Sequence, residues 1–150
     1  MTDRLRALAA EAVGTAMLVA TVVGSGIMAQ RLTSDIGLAL LGNTIATGAI
    51  LVVLIGIFAP LSGAHFNPAV TLVMALRRQL RPTEAGLYML AQVCGAMIGT
   101  LLAHLMFDLP LVSAYADPRT GPSQWLSEAV ATFGLLLTIL LSLHQPAEQV

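Results

Sequence analysis

The chain has 150 residues, of which 57% are hydrophobic and only 10% are charged, and its mean hydropathy is +0.84. This composition is far too apolar for a soluble domain of the same length and predicts an integral membrane protein. A net charge of −1 without a basic tract argues against a nucleic-acid partner, and a single cysteine, Cys94, excludes an internal disulfide.

Four apolar runs are long enough to cross a bilayer, at residues 8–28, 38–58, 87–107 and 125–143. We therefore expect an all-α, multi-pass protein embedded in the lipid bilayer. Arginines are unevenly placed around these runs: one side receives five, and only Arg31 and Arg119 fall on the other. The five are Arg4, Arg6, Arg77, Arg78 and Arg81. The positive-inside bias then predicts a cytoplasmic N-terminus in a bacterial-type plasma membrane.

Polar residues interrupt the first and second apolar runs. Glu11 lies inside the first, where an ionisable group is costly and indicates a function by default. In the second, Asn43 and Thr47 share one helix face at a spacing of four residues, with Thr44 beside them. These side chains either bond to neighbouring helices or line a pore.

The segment "SGAHFNPAVTL", residues 62–72, lies between the second and third runs. Asparagine is a preferred N-cap and proline suits the first helical position, so Asn67, Pro68 and Ala69 predict the start of a short helix over residues 68–76. Nine residues span roughly 13 Å, about half of the hydrocarbon core. Because both ends are expected on the cytoplasmic side, residues 59–66 should descend as irregular backbone to the midplane. The alternative is a surface helix in a loop, but the segment has no polar face.

Irregular backbone at that depth is tolerated only where it lines a watery cavity or is buried in protein. The N-terminal end of the short helix places partial positive charge there, next to the Asn67 amide, which can donate to a neutral molecule. Cations, and protons relayed along a chain of water molecules, meet an electrostatic barrier at the same place. The segment therefore predicts a pore or binding site for neutral molecules.

The fourth run repeats the first. "AEAVGT", which begins at Ala10, recurs as "SEAVAT", which begins at Ser127, and the match aligns Glu11 with Glu128. Inverted repeats of three spans each produce such an offset. The two glutamates are either the proton-binding groups of a carrier or acceptors that hold the polypeptide backbone in place.

The string "SGAHFNPAVTL" closely resembles the first signature of the aquaporin, or major intrinsic protein, family, which includes the aquaglyceroporins. "EAVGT", residues 11–15, resembles the family's first-span motif, and "AQVCGAMIG", residues 91–99, its third-span motif. The resemblance implies a single partial domain over residues 1–150. That domain is the first inverted repeat, three spans plus a re-entrant half-helix, followed by the first span of the second repeat. It also implies a homo-oligomer, a tetramer with one pore per subunit.

The resemblance also assigns roles to residues. It implies that Glu11 and Glu128 each anchor a re-entrant loop. The pore-lining residues that it implies are Gly63, Ala64, His65, Asn67 and Thr47. Thr47 occupies the second-span filter position, where a small side chain implies passage of glycerol-like solutes or neutral metalloid hydroxides as well as water. The counterpart of Asn67 would fall beyond Val150, so we expect the fifth and sixth spans and the filter arginine to be missing from this chain.

No set of residues predicts an enzyme, a catalytic site or a cofactor site. His104 and Asp108 share a helix face without a third ligand nearby, so no metal is expected. Three functions remain open. The first is a channel subunit for water and small neutral solutes, and the second is a non-conducting membrane subunit with an interaction role. The third is a small proton-coupled carrier that uses Glu11 and Glu128.

Overall fold

The computed structural model describes residues 3–112 and 120–142, and all regular structure within these ranges is helical. The helices are α1 (Asp3–Leu32), α2 (Ile36–Ser62), α3 (Pro68–Leu76), α4 (Pro82–Met106) and α5 (Pro122–Ser142). All except α3 are long and apolar enough to cross a membrane. The prediction of an all-α, multi-pass membrane protein is confirmed.

The chain divides into two compact units, residues 1–113 and 114–150. The first unit contains α1 to α4, and the second contains α5. Helix α5 has 21 residues, and all of them are exposed or half-buried.

Helix α1 is the centre of the first unit: it packs against both α2 and α4, and α3 packs against α4. The buried residues of α4 recur every three or four positions and therefore form one face of the helix. They are Ala85, Tyr88, Gln92, Gly95, Gly99 and Ala103. The buried face of α1 consists of Ala7, Ala10, Glu11, Gly14, Thr15 and Gly24. Both faces combine small residues with a few polar ones.

The backbones of α1 and α4 touch at two glycines. A Cβ atom on Gly95 would overlap the carbonyl oxygen of Ala12, and one on Gly99 would overlap that of Ala16. Lipid is as apolar as the helices, so membrane helices associate through close packing of this kind rather than through hydrophobic burial.

The contact between α1 and α2 includes a polar tie. The Asn43 side-chain amide donates to the carbonyl oxygen of Val22 (2.7 Å) and to the Ser25 hydroxyl (3.1 Å). The Thr44 hydroxyl donates within its own helix, to the carbonyl of Leu40 (2.8 Å). Asn43 therefore bonds to a neighbouring helix, which was one of the two alternatives for this face; the other was to line a pore.

Helix α2 continues further than the sequence indicates. Residues 59–66 were expected to be irregular, but the helix runs through Pro60 to Ser62, so only residues 63–67 are irregular. Proline within a helix removes one hydrogen bond and crowds the carbonyl four residues earlier. That residue is Gly56, and the helix nevertheless continues for two residues beyond Pro60. The helix ends instead at Gly63, whose φ of 86° is left-handed and whose N–H donates to the Ala59 carbonyl (2.9 Å).

All four spanning helices begin before the apolar runs that predicted them, at Asp3, Ile36, Pro82 and Pro122. Asp35 caps α2 by accepting from the N–H of Leu38 (3.0 Å). Pro82 begins α4 five positions ahead of the apolar run, since proline suits the first helical position.

Candidate functional site

The short helix α3 begins at Pro68 and is capped by Asn67. The side-chain oxygen of Asn67 accepts from the N–H of Ala69 (2.8 Å), and its carbonyl accepts from the N–H of Thr71 (3.0 Å). Asn67 itself is extended, with φ −151° and ψ 125°. The sequence Asn-Pro-Ala thus produces a sharp helix start by ordinary capping.

The cap leaves the other half of the Asn67 amide unused. Its Nδ2 group has no protein partner within residues 3–112 and 120–142, and the side chain is only half-buried. This free donor adjoins the N-terminal end of α3, where the helix dipole adds partial positive charge. The site therefore presents hydrogen-bond donors to a molecule that brings an acceptor.

The backbone before Asn67 is strained. Ala64 (φ 52°) and Phe66 (φ 48°) both adopt the left-handed region, which costs roughly 1–2 kcal/mol for a residue with a Cβ atom. In the described part of the chain, the carbonyl oxygens of Gly63, Ala64 and His65 accept no hydrogen bond. These carbonyls are free acceptors, and the conformation that leaves them free must be held by other contacts.

Glu11 of α1 supplies those contacts. Its Oε1 accepts from the Ser62 hydroxyl (2.6 Å) and the N–H of His65 (3.0 Å). Its Oε2 accepts from the N–H of Phe66 (2.8 Å) and the side-chain amide of Gln92 (2.7 Å). The side chain is fully buried, and hydrogen bonds to a carboxylate are about twice as strong as neutral ones. One carboxylate thus joins α1, the end of α2, the 63–67 loop and α4.

Gln92 extends the connection to α3. The same side-chain nitrogen that donates to Glu11 also donates to the Thr71 hydroxyl (2.9 Å), which lies 3.1 Å from Nδ1 of His65. Gln92 is 1% exposed, and its Oε1 has no partner in the part of the chain that the structure describes. The amide therefore acts as a donor on two sides and fixes α3 relative to the loop.

Four residues belong to this cluster although no sequence pattern predicted a role for them: Ser62, Thr71, Tyr88 and Gln92. Tyr88 completes the set because its hydroxyl donates to the Ser62 carbonyl (3.2 Å) and its ring lies 5.5 Å from that of His65. Only Gln92 gave a signal in the sequence, because an amide inside an apolar span is costly and indicates a hydrogen-bond partner. The other three residue types are too common in membrane helices to be informative.

Phe66 anchors the loop through its side chain as well. Its ring is 5% exposed, packs against the bare backbone of Gly14, and meets Phe58 edge to face with centroids 5.9 Å apart. A Cβ atom on Gly14 would overlap the Phe66 ring. The glycine makes room for the residue next to Asn67.

We expect Gly14→Ala to displace the Phe66 ring and to lower the free energy of unfolding by about 1–3 kcal/mol, the usual cost of overpacking. SDS titration in mixed micelles, followed by far-UV circular dichroism, measures this change. The matched control is Gly48→Ala, because Gly48 is helical and has no neighbour within 4 Å of the added atom. Equal stability of the two variants would show that Phe66 yields without cost.

The remaining predicted site residues lie elsewhere. Thr47 on α2 is half-buried, and its hydroxyl oxygen is shielded from solvent without a partner in residues 3–112 and 120–142. Glu128 lies on α5 in the second unit, where it is exposed. The structure thus brings Gly63, Ala64, His65, Asn67 and Glu11 together in one cluster.

This cluster combines one free amide donor, a row of free carbonyl acceptors and a carboxylate whose hydrogen bonds are already made. Such an arrangement suits a neutral molecule that can both accept and donate hydrogen bonds. Within the described ranges, no three His, Cys, Asp or Glu side chains come together as metal ligands would.

Comparison with known proteins places these features in context. The sequence profile of the major intrinsic protein family matches residues 1–150. Aquaglyceroporin AqpS of Rhizobium meliloti (strain 1021) is 60% identical over 148 residues, which is 99% of this chain and 64% of that protein. Two rice proteins (Oryza sativa subsp. japonica) are also similar. Probable aquaporin PIP2-8 is 40% identical over 89% of this chain and 50% of its own. Probable aquaporin TIP2-2 is 32% identical over 95% of this chain and 58% of its own length. The chain thus spans 50 to 64% of the length of these relatives.

Proposed function

The chain belongs to the major intrinsic protein family, and we propose that it is a subunit of a channel through which water and small neutral solutes cross the membrane passively. Aquaporins of this family are channels rather than enzymes. The observation that carries the proposal is the free Asn67 Nδ2 donor at the start of α3, beside three free loop carbonyls.

The geometry suggests how a neutral molecule passes. A water molecule or a hydroxyl-bearing solute accepts a hydrogen bond from Asn67 through its oxygen and donates its own hydrogens to the carbonyls of Gly63, Ala64 or His65. Each hydrogen bond replaces one made in bulk water, so desolvation is compensated. A cation gains nothing from Asn67 and meets the positive end of α3, which opposes its entry.

Proton exclusion follows from the same donor. A proton moves along a file of water molecules only if each molecule can accept a hydrogen bond from one neighbour and donate to the next. A water molecule that accepts from Asn67 is oriented with its hydrogens toward the loop carbonyls, and the positive end of α3 opposes an approaching proton, which together interrupt the relay. We propose that this arrangement keeps the channel proton-tight.

We propose glycerol-like solutes and neutral metalloid hydroxides as substrates beside water. Thr47 supports this because its side chain is small at the implied filter position. The similar protein from Rhizobium meliloti is an aquaglyceroporin, which supports the glycerol class in particular. A carrier that uses Glu11 is less well supported, since its carboxylate is fully buried and already accepts four hydrogen bonds.

The chain is an integral, multi-pass membrane protein with four spanning helices in its described residues. We further propose a bacterial-type plasma membrane with the N-terminus in the cytoplasm, on the strength of the arginine bias. A homotetramer is the assembly that the family resemblance implies, and it is proposed here on that basis alone.

Stopped-flow light scattering of proteoliposomes tests the function, with water and then glycerol as the permeant. We expect permeation above that of empty liposomes without a proton leak, and a loss of about tenfold or more in Asn67→Asp, which removes one hydrogen bond in the pore. Aspartate keeps the oxygen that caps α3 and places negative charge at the helix N-terminus, so the variant should fold.

The outcomes separate the remaining alternatives. Permeation that is equal in Asn67→Asp would remove Asn67 from the mechanism. A folded, reconstituted chain without permeation would identify a non-conducting subunit. Proton-coupled flux that is lost in Glu11→Gln and Glu128→Gln would identify the carrier.

A further inference from the structure

Two adjoining cavities lie at the end of the first unit where α3 gives way to α4. One, of about 480 Å³, is lined by the turn between these helices and includes Arg78, Gln79 and Arg81. The other, of about 280 Å³, lies between α1 and α4 and is largely apolar, with Leu8, Leu61 and Leu87 among its walls. Leu80 and Glu84 line both cavities, so the two adjoin each other.

We propose that these cavities together bind one anionic phospholipid, with its phosphate at Arg78 and Arg81 and an acyl chain in the crevice between α1 and α4. The site thus pairs a cationic end with an apolar end, as a phospholipid pairs its headgroup with its chain. Nothing in the proposal depends on permeation through the channel.

The charges favour an anion. Within the described residues, neither Arg78 nor Arg81 forms an ion pair, and the one ion pair present joins Arg6 to Asp3 at 3.8 Å. Arg4 adds a third cation at the rim of the apolar crevice. The opposing acids are Asp3 and Glu84, so the lining carries a net positive charge. Arginine also matches the oxygens of a phosphate with paired N–H donors.

The turn that carries the arginines is fixed. Arg78 has a left-handed φ of 61°, its N–H donates to the Ala75 carbonyl (2.9 Å), and the N–H of Gln79 donates to that of Met74 (3.0 Å). Such a closing turn at a helix C-terminus satisfies the last carbonyls and sets the path of the chain. The guanidinium groups are therefore presented from a defined backbone.

The crevice favours an acyl chain over a small anion or a second helix. Free phosphate would leave the leucine-lined walls without a partner, and an apolar helix would cover unpaired arginines. An anionic lipid satisfies both ends, and each arginine near a membrane surface contributes about 1 kcal/mol to such binding. Tyr88, which donates to the Ser62 carbonyl, forms part of the crevice wall, so the lipid site adjoins the loop cluster.

Native mass spectrometry of the full chain in detergent tests the proposal, with phosphatidylglycerol and phosphatidylcholine of identical acyl chains as probes. We expect one phosphatidylglycerol to be retained in preference to phosphatidylcholine. Arg78→Gln and Arg81→Gln should each weaken its binding about fivefold. The matched control is Arg77→Gln, because Arg77 is an exposed neighbour that does not line either cavity. Far-UV circular dichroism checks that each variant keeps its helices.

Each other result would overturn the proposal. Equal retention of the two lipids would mean ordinary annular lipid, and an equal loss in Arg77→Gln would mean general surface attraction. Binding of free glycerol 1-phosphate as tight as that of the lipid would mean a small-anion site. Loss of the lipid on assembly into oligomers would mean that a second copy covers the crevice.

Discussion

Glu11→Gln is expected to lower the free energy of unfolding by about 3–5 kcal/mol and to release the 63–67 loop. Glutamine has nearly the same shape, but it replaces one acceptor oxygen with an NH₂ group that would face existing donors. Two of the four donors around the carboxylate would then face the NH₂ group, and a buried donor left without a partner costs about 1–3 kcal/mol. SDS titration in mixed micelles measures the loss.

Glu84→Gln is the matched control for this change. Glu84 is half-buried in the first turn of α4 and forms no hydrogen bond within the described residues, so its substitution should change stability by less than about 0.5 kcal/mol. If Glu11→Gln unfolded at the same SDS fraction as Glu84→Gln, the carboxylate would not be what holds the loop.

Gly95→Ala and Gly99→Ala are expected to destabilise the chain by about 2–3 kcal/mol each, near the upper end of overpacking costs. The added methyl group meets a backbone carbonyl of α1 in both cases, and a backbone cannot move aside as a side chain can. The helices must therefore separate along their contact. Thermal unfolding followed at 222 nm, together with SDS titration, detects the change.

Gly86→Ala provides the control within the same helix. No atom lies within 4 Å of a Cβ at Gly86, so the substitution should be neutral or should stabilise α4 by about 0.5–1 kcal/mol through its higher helix propensity. Comparable losses at Gly86 and Gly95 would point to helix flexibility rather than to contact with α1.

Local rules were enough to predict much of the fold. Apolar run length identified the four spans, and the chemistry of Asn67 and Pro68 placed the start of α3. Both features can be identified from a continuous stretch of sequence. The end of α2 was missed because residues 59–66 were expected to descend as irregular backbone from the topology alone, whereas the helix continues through Pro60 and is capped by Gly63.

The loop cluster was harder to predict, for a physical reason. Glu11 meets partners 51 to 81 positions away, and no local pattern reports such pairings. The left-handed backbone of Ala64 and Phe66 runs against the preferences of both residue types, so sequence alone argues against it. That backbone persists because the buried carboxylate and the space above Gly14 compensate for the strain.

The separation between Glu11 and its partners also bears on how the protein is made. Helix α1 is synthesised first, and its acidic side chain enters the bilayer long before Ser62 or Gln92 exists. At ~5–20 residues per second, the 81 positions between Glu11 and Gln92 take roughly 4–16 s to translate. Until Ser62 and the 63–67 loop are made, α1 must be retained by its apolar residues alone, against a cost of ~2.5–3.5 kcal/mol for a carboxylate at membrane depth. The arrival of α4 supplies the last of the four donors, so a defect in α4 would weaken the retention of a helix that the ribosome completed much earlier.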